Sequence, residues 1–123
     1  MIKSLLLVGV GSFLGGVLRY YISTLLKSCS GFQFPWGTLA VNLAGCFVFG
    51  VLFALFNRFS STENSFYLLL TTGVCGGFTT FSAFAHESVQ MLQSGNYYMF
   101  AGYLLASVIW GLLFVGLGYY VVK

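Results

Sequence analysis

Between Gly76 and Phe84 the chain reads GGFTTFSAF, within an apolar run long enough to cross a membrane. Glycines at 73, 76 and 77 each lower helix propensity by about 1 kcal/mol, and β-branched Thr79 and Thr80 add to the weakness. One reading is a break in the helix near mid-membrane. Irregular backbone at that depth is tolerated only when buried in protein or lining a cavity. It frees carbonyl oxygens that can coordinate a hard cation. The other reading is a continuous, glycine-rich helix in tight contact with a neighbour. Beyond the glycines, Phe81 and Phe84 lie three apart, so their rings share a helix face. Such rings are commonly packed or lipid-facing. Their edges, however, carry partial positive charge, and edges turned into a narrow pore would stabilise a small dehydrated anion. Ser82 adds a hydroxyl donor. His86 and Glu87 follow, and Glu87 is the sole acid within a span.

Other polar and small residues recur at helical spacing. Gly11, Gly15 and Arg19 are spaced by four and share a face. Gly11-x-x-x-Gly15 is a close-packing pattern. Arg19 deep in a bilayer costs about 3 kcal/mol or more. It either snorkels toward the Lys27 end of its helix or faces the bundle or a water-filled vestibule. Thr38, Asn42 and Gly45 share a face of a second segment. Asn42 suits either a bond to a neighbouring helix or donation to an anion. Tyr103 and Ser107, four apart, share a face of the last segment. A membrane serine commonly bonds its own backbone carbonyl four residues back, and that is the reading for Ser107 taken alone.

The elements that must position these residues follow from composition. Of 123 residues, 59% are hydrophobic and 6% charged. A soluble domain carries about 25% charged residues, so this is an all-α integral membrane protein. A helix crosses the hydrocarbon core with about 20 apolar residues. Four segments qualify: about Ser4 to Leu26, Trp36 to Phe56, Phe66 to Met91 and Tyr97 to Val121. They form one four-helix transmembrane domain over residues 1–123, with short connections. The N-terminal run lacks a convincing cleavage site and contains Arg19, so it reads as a retained first span rather than a signal peptide.

Both termini fall on one side, with Lys3, Arg58, Lys123 and Glu63, against Lys27 on the other. This basic bias specifies orientation weakly. Either helix hydrophobicity sets one orientation, or the chain inserts both ways and pairs antiparallel with itself. Four helices leave little room for a lined pathway between them, so transport calls for an oligomer.

The scattered charges, netting +3, give no basic stripe for nucleic acid. Cys29, Cys46 and Cys75 have no metal-ligand spacing and read as structural. No phosphate loop, no nucleophile with a matching base and no metal cluster is present in the sequence. Enzymatic chemistry has no support.

Taken together, Gly15-Gly16-Val17-Leu18-Arg19-Tyr20, Gly37-Thr38-Leu39-Ala40-Val41-Asn42 with Gly45, and above all Gly76-Gly77-Phe78-Thr79-Thr80-Phe81-Ser82 resemble the Fluc, or CrcB, family of bacterial fluoride channels. The likeness extends over all four spans. It implies an antiparallel, dual-topology homodimer in the bacterial cytoplasmic (inner) membrane. Two fluoride pores would run along the subunit interface and export fluoride passively. A single structural sodium ion would sit at the dimer centre, held by the backbone carbonyls of Gly76 and Thr79. Phe81 and Phe84 would line the pore, Asn42 would donate to fluoride, and Ser82, Tyr103 and Ser107 would complete the polar lining. Arg19 and Glu87 would sit at the aqueous vestibules. Ala83 departs from a pattern in which threonine often follows the serine, which bears only on fine tuning.

Overall fold

A computed structural model of the chain describes residues 1–29, 34–59 and 64–122, with the side chains of all of these except 27–29. The side chains of Lys27 and Cys29, and the whole of Glu63 and Lys123, on which parts of the charge and thiol reading rest, lie outside the described residues.

Among the described residues all regular structure is helical. Helix α1 spans Ile2–Cys29 and α2 spans Trp36–Phe59. The third segment is composite. Helix α3 (Ser65–Leu68) runs into a π-helical stretch, Leu69–Cys75, and then into α4, Gly76–Phe78. Thr79 and Thr80 follow, and α5 spans Phe81–Gln93. Helix α6 spans Tyr97–Val122. Four stretches, Ile2–Leu26, Trp36–Phe59, Ser65–Gln93 and Tyr97–Val122, are long and apolar enough to cross a membrane.

Local chemistry sets the ends. Asn64 accepts from the Phe66 N–H at 2.8 Å and caps the third segment. Thr80 caps α5, its Oγ1 accepting from the Ala83 N–H at 3.2 Å. At the far end of α5, Gly95 adopts φ 81°. The Asn96 N–H folds back to Met91 O at 2.9 Å. This is the left-handed glycine stop that turns the chain into α6.

Glycines decide which helices touch. A Cβ at Gly11 would lie 2.6 Å from Leu69 O and 2.7 Å from Gly73 Cα. One at Gly15 would collide with Val74 O and sit 2.8 Å from Phe78 N. One at Gly77 would stand 2.5 Å from Ser12 O. Helix α1 and the first half of the third segment therefore meet backbone to backbone. Helices α2 and α6 meet in the same way, where Gly50 faces Val115 O and Gly118 faces Phe47 O. In lipid the helices gain little by hiding apolar surface from one another, so close van der Waals approach at small residues holds such contacts. Of the thiols, Cys75 is buried and Cys46 half-buried, and both are free.

A small core of larger side chains closes one region of the bundle. Leu39 of α2, Phe84 and Met91 of α5 and Tyr103 of α6 pack together, with Phe34, Leu43, Met99 and Phe100 against them. Tyr103 is fully buried.

Candidate functional site

The site grows from the residues that separate α4 from α5. Thr79 (φ −83°, ψ 156°) and Thr80 (φ −148°, ψ 121°) are both extended. Extended backbone inside a helical segment strips carbonyls of their usual i+4 donors. The Thr80 N–H would serve Gly76 O in a continuous helix, and it donates instead to Asn42 Oδ1 at 2.8 Å. The Ala83 N–H would serve Thr79 O, and it turns to Thr80 Oγ1. The two carbonyls named from the family resemblance are thus among those that lose their helical donors at the interruption. Cys75 O, by contrast, receives both the Thr79 N–H and the Thr79 Oγ1–H, each at 2.9 Å. Gly77 O receives Arg19 Nε at 3.2 Å.

Neighbouring helices hold the interruption at two points, Thr80 and Gly77. On α2, Asn42 uses both ends of its amide on one residue. Its Oδ1 accepts from Thr80 N–H, and its Nδ2 donates to Thr80 O at 3.1 Å. A primary amide carries two N–H donors, so one is left over. Of the two readings open from sequence, a bond to a neighbouring helix is therefore made, and a donor is still spare. On α1, Arg19 turns to Gly77 O rather than along its own helix toward the Lys27 end. It makes no ion pair among the described residues.

A second polar group lies inside the small core. Glu87 Oε2 accepts from Thr38 Oγ1 at 2.8 Å, and Oε1 accepts from the Tyr103 hydroxyl at 2.9 Å. Both donors are buried. The carboxylate is thus bound between α2, α5 and α6. The sequence placed Thr38 on the Asn42 face without assigning it a partner.

Aromatic rings join the two groups. Phe81 and Phe84 have centroids 5.7 Å apart, and Phe84 and Tyr103 4.9 Å apart. Phe34 and Tyr103 meet edge to face with centroids 5.4 Å apart. The rings of Phe81 and Phe84 are adjacent but not equivalent, because Phe81 is 77% exposed and Phe84 only 9%. Ser82 is exposed beside Phe81 and lies 3.3 Å from Thr80 Oγ1. Ser107 corrects the expectation drawn from its position. Its Oγ is buried yet makes no hydrogen bond, so it does not bond the carbonyl of Tyr103 four residues back. An orphaned buried hydroxyl carries a desolvation cost and marks a place where a ligand or water can be received.

Asn42, Phe81, Ser82 and Phe84, with Gly76 and Thr79, gather around the extended pair. Tyr103 joins them through Phe84, and Ser107 follows one turn along α6. Arg19 reaches the same segment from the far side, through Gly77. Glu87 is linked to the group through Tyr103 and through Thr38, one turn from Asn42 on α2. Three participants were given no partner by the sequence: Thr38, which holds Glu87, Thr80, whose backbone and hydroxyl organise the interruption, and Gly77, whose carbonyl receives Arg19. The weak helix propensity of the Gly76–Thr80 stretch was the available signal for the last two.

Residues 6–119 match the family described as CrcB-like protein, Camphor Resistance (CrcB). The chain is similar to a "Fluoride-specific ion channel FluC" of Leptospira interrogans, 43% identical over 121 residues, covering 98% of this chain and 95% of that one. A protein of the same description from Phocaeicola vulgatus is 47% identical over 116 residues, covering 94% and 95%. Another, from Chlorobium phaeobacteroides, is 42% identical over 120 residues, covering 98% and 93%. With relatives of this closeness along nearly its whole length, the chain belongs to the CrcB family, a family of ion channels and not of enzymes.

Proposed function

We propose that this protein is a fluoride-selective channel that lets fluoride leave the cell passively across the bacterial cytoplasmic membrane. The observation that carries the reading is the near full-length similarity to channels described as fluoride-specific. The finer architecture proposed with it is an antiparallel homodimer of dual topology, with two pores along the subunit interface and the third span broken near mid-membrane. The outward exposure of Phe81 and Ser82 supports it. In a single chain they face away from the four-helix unit, where a second copy would complete a pathway.

The physical demand on such a pore is severe. Fluoride is small and strongly hydrated, and moving a bare ion into an apolar medium costs tens of kcal/mol, about, by Born estimates. The spare Asn42 N–H, the Ser82 hydroxyl, the unclaimed Ser107 hydroxyl and the ring edges of Phe81 and Phe84 would replace the lost water. Tyr103 completes the lining, its own proton held toward Glu87. A narrow path of this kind discriminates against the larger chloride ion. Arg19 and Glu87 are assigned to aqueous vestibules that reach inward, to the interruption at Gly77 for Arg19 and to the Thr38–Tyr103 pair for Glu87.

A sodium ion at the dimer centre fits the residues present. Hard cations take oxygen ligands, backbone carbonyls among them. The Gly76 and Thr79 carbonyls are free of helical donors, and a second copy would bring a matching pair. When bound, the ion would supply positive charge beside the anion path and tie the two interrupted helices together.

The test is fluoride efflux from liposomes reconstituted with the purified protein, followed with a fluoride electrode. Rapid efflux with chloride retained is expected. Absence of fluoride flux, or equal chloride flux, overturns the assignment. The dimer arrangement is tested separately by C-terminal tags in intact cells, which should report both sides of the membrane.

A further inference from the structure

Arg19 is accounted for above as a charge at the mouth of a pathway, but its geometry carries more. We infer that Arg19 is a positioning residue that terminates the first half of the third span by capping Gly77 O. This proposal refines the role of Arg19 within the channel reading, yet it stands on backbone geometry that exists whether or not fluoride is the ion.

The argument starts from the end of α4. The last carbonyls of any helix lack intrahelical donors and need partners from elsewhere. In water they find solvent. Inside an apolar bundle they need a side chain, and a basic residue near a helix C-terminus is the favoured donor. Here Cys75 O is satisfied by Thr79 and Gly77 O by Arg19 Nε. Gly76 O lies between them and has lost its helical donor, because the Thr80 N–H goes to Asn42. Capping Gly77 O thereby leaves the Gly76 carbonyl as the one between two satisfied neighbours that is open to a ligand. Without the cap, the Gly77 carbonyl would compete for the same partners, and the peptide planes at the break would be free to reorient.

The reach of Arg19 is set by packing. Gly11 and Gly15 press α1 onto the backbone of residues Leu69, Gly73, Val74 and Phe78, and Ser12 presses onto Gly77. Arg19, one further turn along the glycine face, then lies beside the end of α4. Its Nε makes the bond to Gly77 O, and no other hydrogen bond or ion pair of Arg19 forms among the described residues. The terminal nitrogens take no partner among the described residues, so positioning through Nε and a charge role would use different atoms of one guanidinium.

That division gives a clean test. Glutamine places its amide N–H donor at the same number of bonds from Cα as arginine Nε, without charge. Lysine keeps the charge but has a methylene at that position. Methionine has neither. Arg19→Gln, Arg19→Lys and Arg19→Met are prepared in the full-length protein, and amide hydrogen exchange is followed at residues 79–81 in sodium and in N-methylglucamine buffers. If Arg19 positions the break, the Gln variant exchanges like the parent, while the Lys and Met variants exchange about ten-fold faster. If Arg19 acts only through charge, the Lys variant matches the parent and the Gln variant does not. That pattern, or equal exchange in all four proteins, overturns the proposal. Should the Met variant fail to fold, the contrast between Gln and Lys decides alone. Fluoride flux measured on the same samples separates the two claims. Loss of flux in the parent would sink the channel reading and leave the exchange result standing.

Discussion

The side-chain amide of Asn42 is paired edge-on with the backbone of Thr80, accepting from its N–H at 2.8 Å and donating to its O at 3.1 Å. One side chain on α2 thus takes over both backbone groups of a residue that has left the helix. Asn42→Ala removes both side-chain bonds to the half-buried Thr80 backbone and leaves its N–H unserved, at about 1–3 kcal/mol. A lowered melting temperature in detergent is expected together with loss of fluoride flux. Asn42→Asp, which keeps the acceptor and loses the donor, should fall between.

Gly15 permits the closest approach of α1 to the third span. Gly15→Ala would drive a methyl into Val74 O and Phe78 N. Overpacking against backbone costs about 1–3 kcal/mol or more. Gly9 has nothing within 4 Å of its would-be Cβ, so Gly9→Ala should be neutral, or gain up to about 1 kcal/mol in helix propensity. Thermal melts of the two variants side by side check this contrast.

Phe81 and Phe84 should separate function from packing. Phe81 is 77% exposed and Phe84 is 9% exposed against Tyr103. Phe81→Ile is expected to abolish fluoride efflux with stability within about 0.5 kcal/mol of the parent. Phe84→Ala should lower stability by about 3–5 kcal/mol, the usual range for a core phenylalanine. Equal loss of stability in both would contradict the assignment of Phe81 to the pathway.

Tyr103 and Thr38 share the Glu87 carboxylate. Tyr103→Phe keeps the ring against Phe84 and removes one donor, and Thr38→Val removes the other with little change of shape. Each such hydrogen bond contributes about 0.5–1.5 kcal/mol net. The double variant should depart from the sum of the singles, because the two bonds serve one group. A double-mutant cycle by thermal or denaturant unfolding measures the coupling.

Ser107 makes the opposite forecast. Its Oγ is buried without a partner, so Ser107→Ala removes a desolvation cost and should not lower stability. Fluoride flux should nevertheless fall, because the proposed pathway loses a donor. A marked drop in melting temperature would show that the hydroxyl has a structural partner after all.

How the fold was legible follows from the solvent. Lipid offers no hydrogen bonds, so an apolar run of sufficient length must become a helix, and the four runs were visible as such. The four-residue period of Gly11, Gly15 and Arg19 likewise places them on one face by helix geometry alone. The weak backbone at Gly76–Thr80 was visible for the same reason, since glycine and β-branched residues carry their propensities wherever they sit.

What each face meets was not legible. A period says which residues lie together and nothing about which helix arrives opposite them. Arg19 and Gly77 are 58 positions apart, Asn42 and Thr80 are 38, and Thr38 and Glu87 are 49. The first two pairings sit beside close glycine contacts, of Gly15 and Gly77 between α1 and the third span and of Gly45 with Thr79, which bring those helix faces within hydrogen-bond reach. Composition and periodicity settled a four-helix membrane chain with a weak point in its third span. Only the packing of α1 and α2 against that point decided which carbonyls are capped, which are left open, and that Ser107 stands alone.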